Sequence, residues 1–170
     1  MSKLLRSQIA VALALMASAI PAHADALGPD SSVCNAGNHA AVLVRVEGFK
    51  AHTGKLRVQI YGANPEDFLA KGKWLKRIDL PVSPAGRMDV CVALPAPGNY
   101  AIAVRHDVDG NGKSGWSDGG GFSRNPRLSL TSLKPKHSAV VIPVGTTPRA
   151  IDVVLNYRSG FSIKPIGPAR

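Results

Sequence analysis

The sequence predicts an all-β protein, a single antiparallel β-sandwich of about seven short strands with one short helix. Two observations favour this fold class. Apolar and polar residues alternate with a period of two along most of the chain, which is typical of strands that bury one face. Turn-forming residues separate these alternating stretches, and short strands divided in this way favour an antiparallel sandwich.

In chain order, strands are expected at residues 41–47, 55–61, 74–80, 87–94, 100–106, 138–144 and 150–157. The strand at 74–80 has the weakest pattern, and the other six are expected to form three consecutive pairs. The first pair has His52-Thr53-Gly54 between its members, which is a hairpin signal. The helix is expected to begin at Asn64 as its cap, with Pro65 at the first position, and to end at Gly72.

The N-terminus has the features of a secretory signal peptide. Lys3 and Arg6 precede an apolar run at residues 9–20, and Ala22-His23-Ala24 provides a cleavage site. The run is too short for a membrane anchor. We therefore expect a signal peptide at 1–24 and a periplasmic or secreted mature chain without a transmembrane segment. That chain is expected to comprise a lead-in at 25–40, a sandwich domain at 41–158 and a flexible tail at 159–170.

The charge of the chain is strongly positive, +10 for the whole sequence. Without Lys3 and Arg6 the basic residues fall from 21 to 19 against 11 acidic residues, which leaves +8. Because these residues are scattered and export is expected, we predict a solvated basic surface and no nucleic-acid partner. The partner expected instead is an envelope protein, a glycan or a lipid surface.

Cys34 and Cys91 are the two cysteines of the chain. An oxidising compartment favours their pairing as one disulfide, which would join the lead-in to a predicted strand. Two free thiols or a redox pair are the alternative, although the chain contains no C-x-x-C motif.

Residues 107–118 (DVDGNGKSGWSD) follow the pattern of a calcium-binding loop. Oxygen ligands recur at alternate positions, Gly112 stands at the sharp turn, and a carboxylate closes the loop. The predicted ligands are Asp107, Asp109, Asn111, Lys113 through its carbonyl group, and Asp118. Position 9 is Gly115 and position 12 is Asp instead of Glu, so a weak, structural Ca²⁺ site is expected, with a dissociation constant on the order of 10⁻⁴–10⁻³ M. The alternative is a turn built by Asp and Asn side chains without any ion.

Two further residues invite a catalytic interpretation. His106 precedes Asp107, but neighbours on a strand point to opposite faces, so they are not expected to act as a base and its orienting partner. Trp116 and the glycines after it are compatible with a ligand-binding lip, although we expect the Trp to cover the end of the core.

The runs LPAPGNYAIAVRHDVDGNGK at 94–113 and GFSRN at 121–125 resemble the domain of unknown function 2141 family of small exported bacterial proteins. Members share an L-x-x-G-x-Y-A-I strand, an H-D-x-N/D-x-N-G-K loop and a G-F-S-N-N-like segment. The resemblance extends over roughly residues 42–157 and departs from the family after Lys113, where the linker is short. It implies a transthyretin-like or immunoglobulin-like β-sandwich and no established activity.

The function expected from these observations is an exported, non-catalytic β-sandwich binding module with a weak Ca²⁺ loop. The alternative is an enzyme, or an enzyme-accessory domain, with its site around His106, Asp107 and Trp116.

Overall fold

The computed structural model describes residues 25–166, so the predicted signal peptide (1–24) and the last four residues lie outside the described part. The described chain is mostly β, with two sheets and few helices. Its strands are β1 (Ala41–Glu47), β2 (Lys55–Tyr61), β3 (Lys76–Pro81), β4 (Met88–Ala93), β5 (Gly98–Asp107), β6 (Gly119–Phe122), β7 (Val141–Val144), β8 (Arg149–Val154), β9 (Asn156–Ser159) and β10 (Ser162–Pro165). Its helices are α1 (Ser31–Ala36), α2 (His137–Val140) and a 3-10 turn (Pro65–Asp67).

The smaller sheet has the order β4-β1-β8, and β1 is antiparallel to β4 but parallel to β8. The larger sheet has the order β10-β9-β6-β5-β2-β3. Strand β7 joins this sheet by pairing with the first half of β5, next to the stretch that pairs with β6. Strand β5 is therefore hydrogen-bonded along both of its edges.

The three predicted strand pairs need correction. The two strands of each predicted pair lie in different sheets. This holds for β1 and β2, for β4 and β5, and for β7 and β8. The turn residues reverse the chain as expected, but the reversed strand crosses the core instead of pairing with its predecessor. A turn signal specifies a change of direction, whereas packing of the apolar faces decides which sheet the next strand joins.

The number of strands and the helix also differ from the prediction. Within residues 25–166 there are ten strands instead of about seven, and one strand pair is parallel. Strand β6 was missed because its sequence, GGGF, has no alternation. Only a 3-10 turn forms where the helix was expected, because Phe68 is extended and Leu69 has φ of 60°. The two α-helices lie outside that segment.

The main hydrophobic core lies between the two sheets. Val44 and Val90 from the smaller sheet belong to the same buried cluster as Val58 and Ile102 from the larger sheet. A second cluster, which contains Tyr61, Ala101, Ala103, Phe122 and Val140, includes alternate residues of β5. Successive side chains of one strand point to opposite faces, and Ile102 lies in the main core between Ala101 and Ala103 of the second cluster, so β5 is buried on both faces.

The two ends of the described chain are more ordered than expected. In the lead-in, Cys34 lies on α1 and forms a disulfide with Cys91 of β4, with the two Cα atoms 6.0 Å apart. At the other end, the boundary predicted at residue 158 cuts through the β9–β10 hairpin, which extends the larger sheet. Residues 162–165 of the predicted flexible tail form strand β10, because their backbone groups pair with β9. Within residues 25–166, no helix has the length and apolar character needed to cross a membrane.

Candidate metal centre at the end of strand β5

The predicted calcium loop connects two neighbouring antiparallel strands. Asp107 is the last residue of β5, Gly119 is the first of β6, and His106 pairs with Gly119 across the ladder. The hairpin therefore holds the first and last loop positions close together, a task that helices perform in an EF-hand. Gly112, at the sharp turn, has φ of 79°, a conformation that favours glycine.

Three of the five predicted ligands meet in space. One carboxylate oxygen from each of Asp107, Asp109 and Asp118 lies within 4.8 Å of the other two. Three like charges at such distances repel each other, and a bound divalent cation would offset that repulsion. Carboxylate oxygens are also the ligands that hard cations such as Ca²⁺ prefer.

Asp107 is the best-enclosed member of the cluster, with 2 % of its surface exposed. Its Oδ2 accepts hydrogen bonds from the N–H of Gly112 (2.9 Å) and from Nη2 of Arg105 (3.0 Å). Burial by itself would raise the pKa of Asp107, but the N–H of Gly112, the charge of Arg105 and an interaction with the Asp109 carboxyl together outweigh it, and the pKa of the Asp107 carboxyl lies below its usual range. Its Oδ1 is buried and has no hydrogen-bond partner within the described residues.

The other predicted ligands make hydrogen bonds that shape the loop. Asp109 accepts from the N–H of Asn111 (3.1 Å) and from its side-chain nitrogen (2.6 Å). The side-chain oxygen of Asn111 accepts from the N–H of Lys113 at 2.7 Å. Asp118 accepts from the N–H groups of Val108 (3.1 Å) and Gly115 (2.8 Å).

These bonds are those of the turn expected without an ion, so they do not distinguish the two interpretations of the loop. The distinguishing feature is Oδ1 of Asp107. Buried polar atoms are nearly always hydrogen-bonded, and an unpaired carboxylate oxygen in the interior carries a large free-energy cost. A cation coordinated by Oδ1 would satisfy this atom, whereas the turn by itself leaves it unpaired.

His106 is fully buried and belongs to a hydrogen-bond network behind the loop. Its Nε2 lies 2.9 Å from the carbonyl oxygen of Thr53, and its Nδ1 lies 2.6 Å from the hydroxyl of Tyr157. The same hydroxyl accepts a hydrogen bond from the N–H of Lys50 at 3.2 Å. Burial raises the pKa of Tyr157 to about 12. Both ring nitrogens of His106 thus have protein partners, and neither of these partners is Asp107.

Sequence reasoning missed two residues of this site. Arg105 lies two positions before Asp107 on the same strand, and residues with this spacing share a face, so the pair was detectable. Tyr157 gave no such signal, since it is 51 residues from His106. Its ring lies against Gly119, where any side chain would collide with it.

Trp116 does not cover the end of the core, so that expectation is wrong. It is 74 % exposed, and the guanidinium of Arg158 stacks on its ring, 3.2 Å from the ring centre. The loop carries the indole outward, away from both hydrophobic clusters.

A family model described as "Uncharacterized protein conserved in bacteria (DUF2141)" matches residues 44–152, well over half of the chain. The chain belongs to the DUF2141 family. No curated protein and no solved structure matches it. The family assignment covers β5, the 107–118 loop and β6, but it brings no activity with it.

The DUF2141-like GFSRN segment has a structural role in this member. The hydroxyl of Ser123 is buried, accepts from the N–H of Ile102 (3.1 Å) and donates to the carbonyl of Val140. The side chain of Asn125 donates to the carbonyl of Asp152 (3.0 Å) and accepts from the N–H of Val154 (2.9 Å). Asn125 thereby ties the end of β6 to β8 in the other sheet.

Proposed function

We propose that this DUF2141 protein is an exported, non-catalytic binding module with a transthyretin-like or immunoglobulin-like sandwich fold, and that its 107–118 loop holds Ca²⁺ as a structural ion. The proposal rests on one observation, the buried, unpaired Oδ1 of Asp107 beside the carboxylates of Asp109 and Asp118. Such an oxygen is what a hard cation coordinates, and no alternative partner lies within the described residues.

The expected affinity is low. The carboxylate of Asp118 already accepts two backbone N–H bonds, and the guanidinium of Arg105 neutralises part of the negative charge. Gly115, at position 9, has no side-chain ligand to offer. These features favour a dissociation constant on the order of 10⁻⁴–10⁻³ M, the range of extracellular calcium modules. At such affinity the ion orders the loop and does not act as a signal.

The surroundings of His106 support the non-catalytic part of the proposal. An enzymatic site around His106, Asp107 and Trp116 would need an accessible acid or base. The imidazole has no exposed surface, and its two nitrogens contact Tyr157 and Thr53. Trp116 lies on the outside of the loop with Arg158. These three residues do not converge on a common space.

The test is a calorimetric titration of the protein with Ca²⁺. We expect saturable binding by the wild type and none by a variant that carries Asp107→Ala and Asp109→Ala. The control is Glu66→Gln, which removes an exposed carboxylate from another part of the surface and should bind as the wild type does. No binding up to about 10 mM, above the weakest extracellular class, would refute the calcium site and leave the loop as an Asx-type turn.

A further inference from the structure

A basic groove lies beside the 107–118 loop, at the edge of the larger sheet formed by β9 and β10. Its volume is about 490 Å³, and the β9–β10 hairpin supplies most of its walls. The residues that line it are Lys50, Tyr157, Arg158, Ser159, Lys164, Pro165 and Ile166. The N–H of Lys50 donates to the hydroxyl of Tyr157, which fixes one wall against the other. Arg158 connects the groove to the 107–118 loop, because its guanidinium stacks on Trp116.

The charges of this groove are unbalanced. Within residues 25–166, none of Lys50, Arg158 and Lys164 forms an ion pair with a carboxylate. Most other basic side chains on, or directly next to, the strands of the two sheets do form such pairs: Arg45, Arg57, Lys76, Arg77, Arg87 and Arg105. Three cations that line one groove without a carboxylate partner attract an anion. Nε of Arg158 donates to the carbonyl oxygen of Gly160 at 3.2 Å, and stacking on the indole leaves the in-plane donors of its two Nη atoms for phosphate or carboxylate oxygens.

Exposed apolar side chains occur in the groove and on the segments that join it. Phe161, at the tip of the β9–β10 hairpin, is 94 % exposed. Trp116 is 74 % exposed and Ile166 is 48 % exposed. Large apolar side chains grouped on a surface mark interaction sites, and aromatic rings next to Lys and Arg are typical of segments that lie at a membrane interface.

We propose that this groove docks the protein onto an anionic phospholipid surface. Separate lipid phosphates pair with the cations of the groove, since Lys164 shares a face of the hairpin with Tyr157 whereas Arg158 points to the other face. Phe161 enters the boundary between headgroups and acyl chains. A free phosphate ion would account for the cations but not for the exposed Phe161, and for this reason we favour a lipid headgroup. The inference specifies the partner of the binding module proposed above, and it does not depend on the calcium site.

The test is co-sedimentation of the full chain with vesicles. One set contains phosphatidylcholine alone, and the other also contains about one third phosphatidylglycerol. We expect binding to the anionic vesicles only. A variant with Lys50→Gln and Lys164→Gln should bind about 25-fold more weakly, because each lysine near an anionic surface contributes about fivefold. Phe161→Ser should also weaken binding severalfold.

Matched controls lie at the opposite edge of the same sheet. Lys71→Gln with Lys73→Gln removes the same charge beside β3, and Leu75→Ala removes an apolar side chain that is 56 % exposed. Both control variants should bind within about twofold of wild type. All of the variants keep residues 1–24, so any contribution of that segment to vesicle binding cancels in the comparison.

Three outcomes would overturn the proposal. The first is that the lysine variant and its control lose vesicle binding equally. The second is that inorganic phosphate competes fully for vesicle binding while Phe161→Ser has no effect on it. The third is that the protein binds the two kinds of vesicle equally well. Calorimetry of the same preparations with Ca²⁺ reports separately on the loop. Vesicle binding can therefore fail while the calcium site stands, and the calcium site can fail while vesicle binding stands.

Discussion

The two ends of strand β5 bury side chains of opposite character. Near its start, Ile102 and Val104 pack in the main core, while Ala101 and Ala103 belong to the second cluster. At its end, two titratable residues are equally well enclosed: His106 has no exposed surface and Asp107 has 2 %. Apolar burial is favourable without any partner, whereas each buried polar atom needs one.

The polar end meets that need almost completely. His106 is satisfied by Tyr157 and Thr53, and one oxygen of Asp107 is satisfied by Gly112 and Arg105. The oxygen that remains unpaired belongs to a residue of the carboxylate cluster. The apolar end of β5 therefore provides stability, while the incomplete pairing at the other end marks the place where ion binding is expected.

The largest effect should come from the apolar end. Ile102→Ala is expected to lower the free energy of unfolding by about 3 kcal/mol, because it leaves a cavity between the sheets. Urea denaturation followed by circular dichroism measures the change, and the Ca²⁺ affinity of the folded protein should stay the same. Leu75→Ala, at an exposed position, should cost less than about 0.5 kcal/mol. Similar losses in the two variants would contradict the location of the core.

The buried Tyr157 at the polar end should make stability fall at high pH. Its folded pKa is raised to about 12 from the ordinary 10.0, so the unfolded chain releases the proton first. The contribution is fully present below pH 10 and is lost as the pH rises through 12. By about pH 12 the wild type should lose roughly 2 kcal/mol more than Tyr157→Phe. Parallel pH profiles of unfolding for the two proteins would show that the hydroxyl is not buried.

Calcium should stabilise only one end of β5. With Ca²⁺ at about ten times its dissociation constant, binding adds about 1.4 kcal/mol to the free energy of opening the loop. The open form of the loop then becomes roughly tenfold rarer. Hydrogen exchange at the amides of Gly112 and Gly115 should slow accordingly, while exchange at Ala101 stays unchanged. Asp107→Asn should abolish the response. Uniform slowing along β5, or none at all, would count against a local site.

The smallest effect should be a gain in affinity. Arg105→Gln removes the positive charge beside Asp107 and should tighten Ca²⁺ binding about fivefold, equivalent to about 1 kcal/mol. Arg45→Gln, which removes a guanidinium paired with Asp152 on the smaller sheet, serves as the matched control and should leave the affinity unchanged. Weaker binding in Arg105→Gln would show that this side chain supports the loop more than it opposes the ion.

The sequence located most of the strands but not their partners. Alternation identified β1, β2, β4 and β5 because each has one face in the core, and this requirement is local. Pairing is not local: β1 lies beside β8, about a hundred residues away along the chain, in parallel orientation. Strand β6 escaped detection because its glycines are imposed by the bulk of Tyr157 and Val153, which only the folded chain brings near.

The candidate site was also only partly predictable from the sequence. The spacing of Asp107, Asp109 and Asp118 follows from the sequence, since a tight loop must place its alternate oxygens on one side. The two cysteines and the excess of basic over acidic residues were also evident from the sequence. The burial of Oδ1 of Asp107 without a partner could not be predicted in this way, because it depends on β2, whose Lys55 pairs with Asp107 from about fifty residues away along the chain. The groove of Lys50, Arg158 and Lys164 has the same origin, because more than a hundred residues separate its two walls and the fold brings them together.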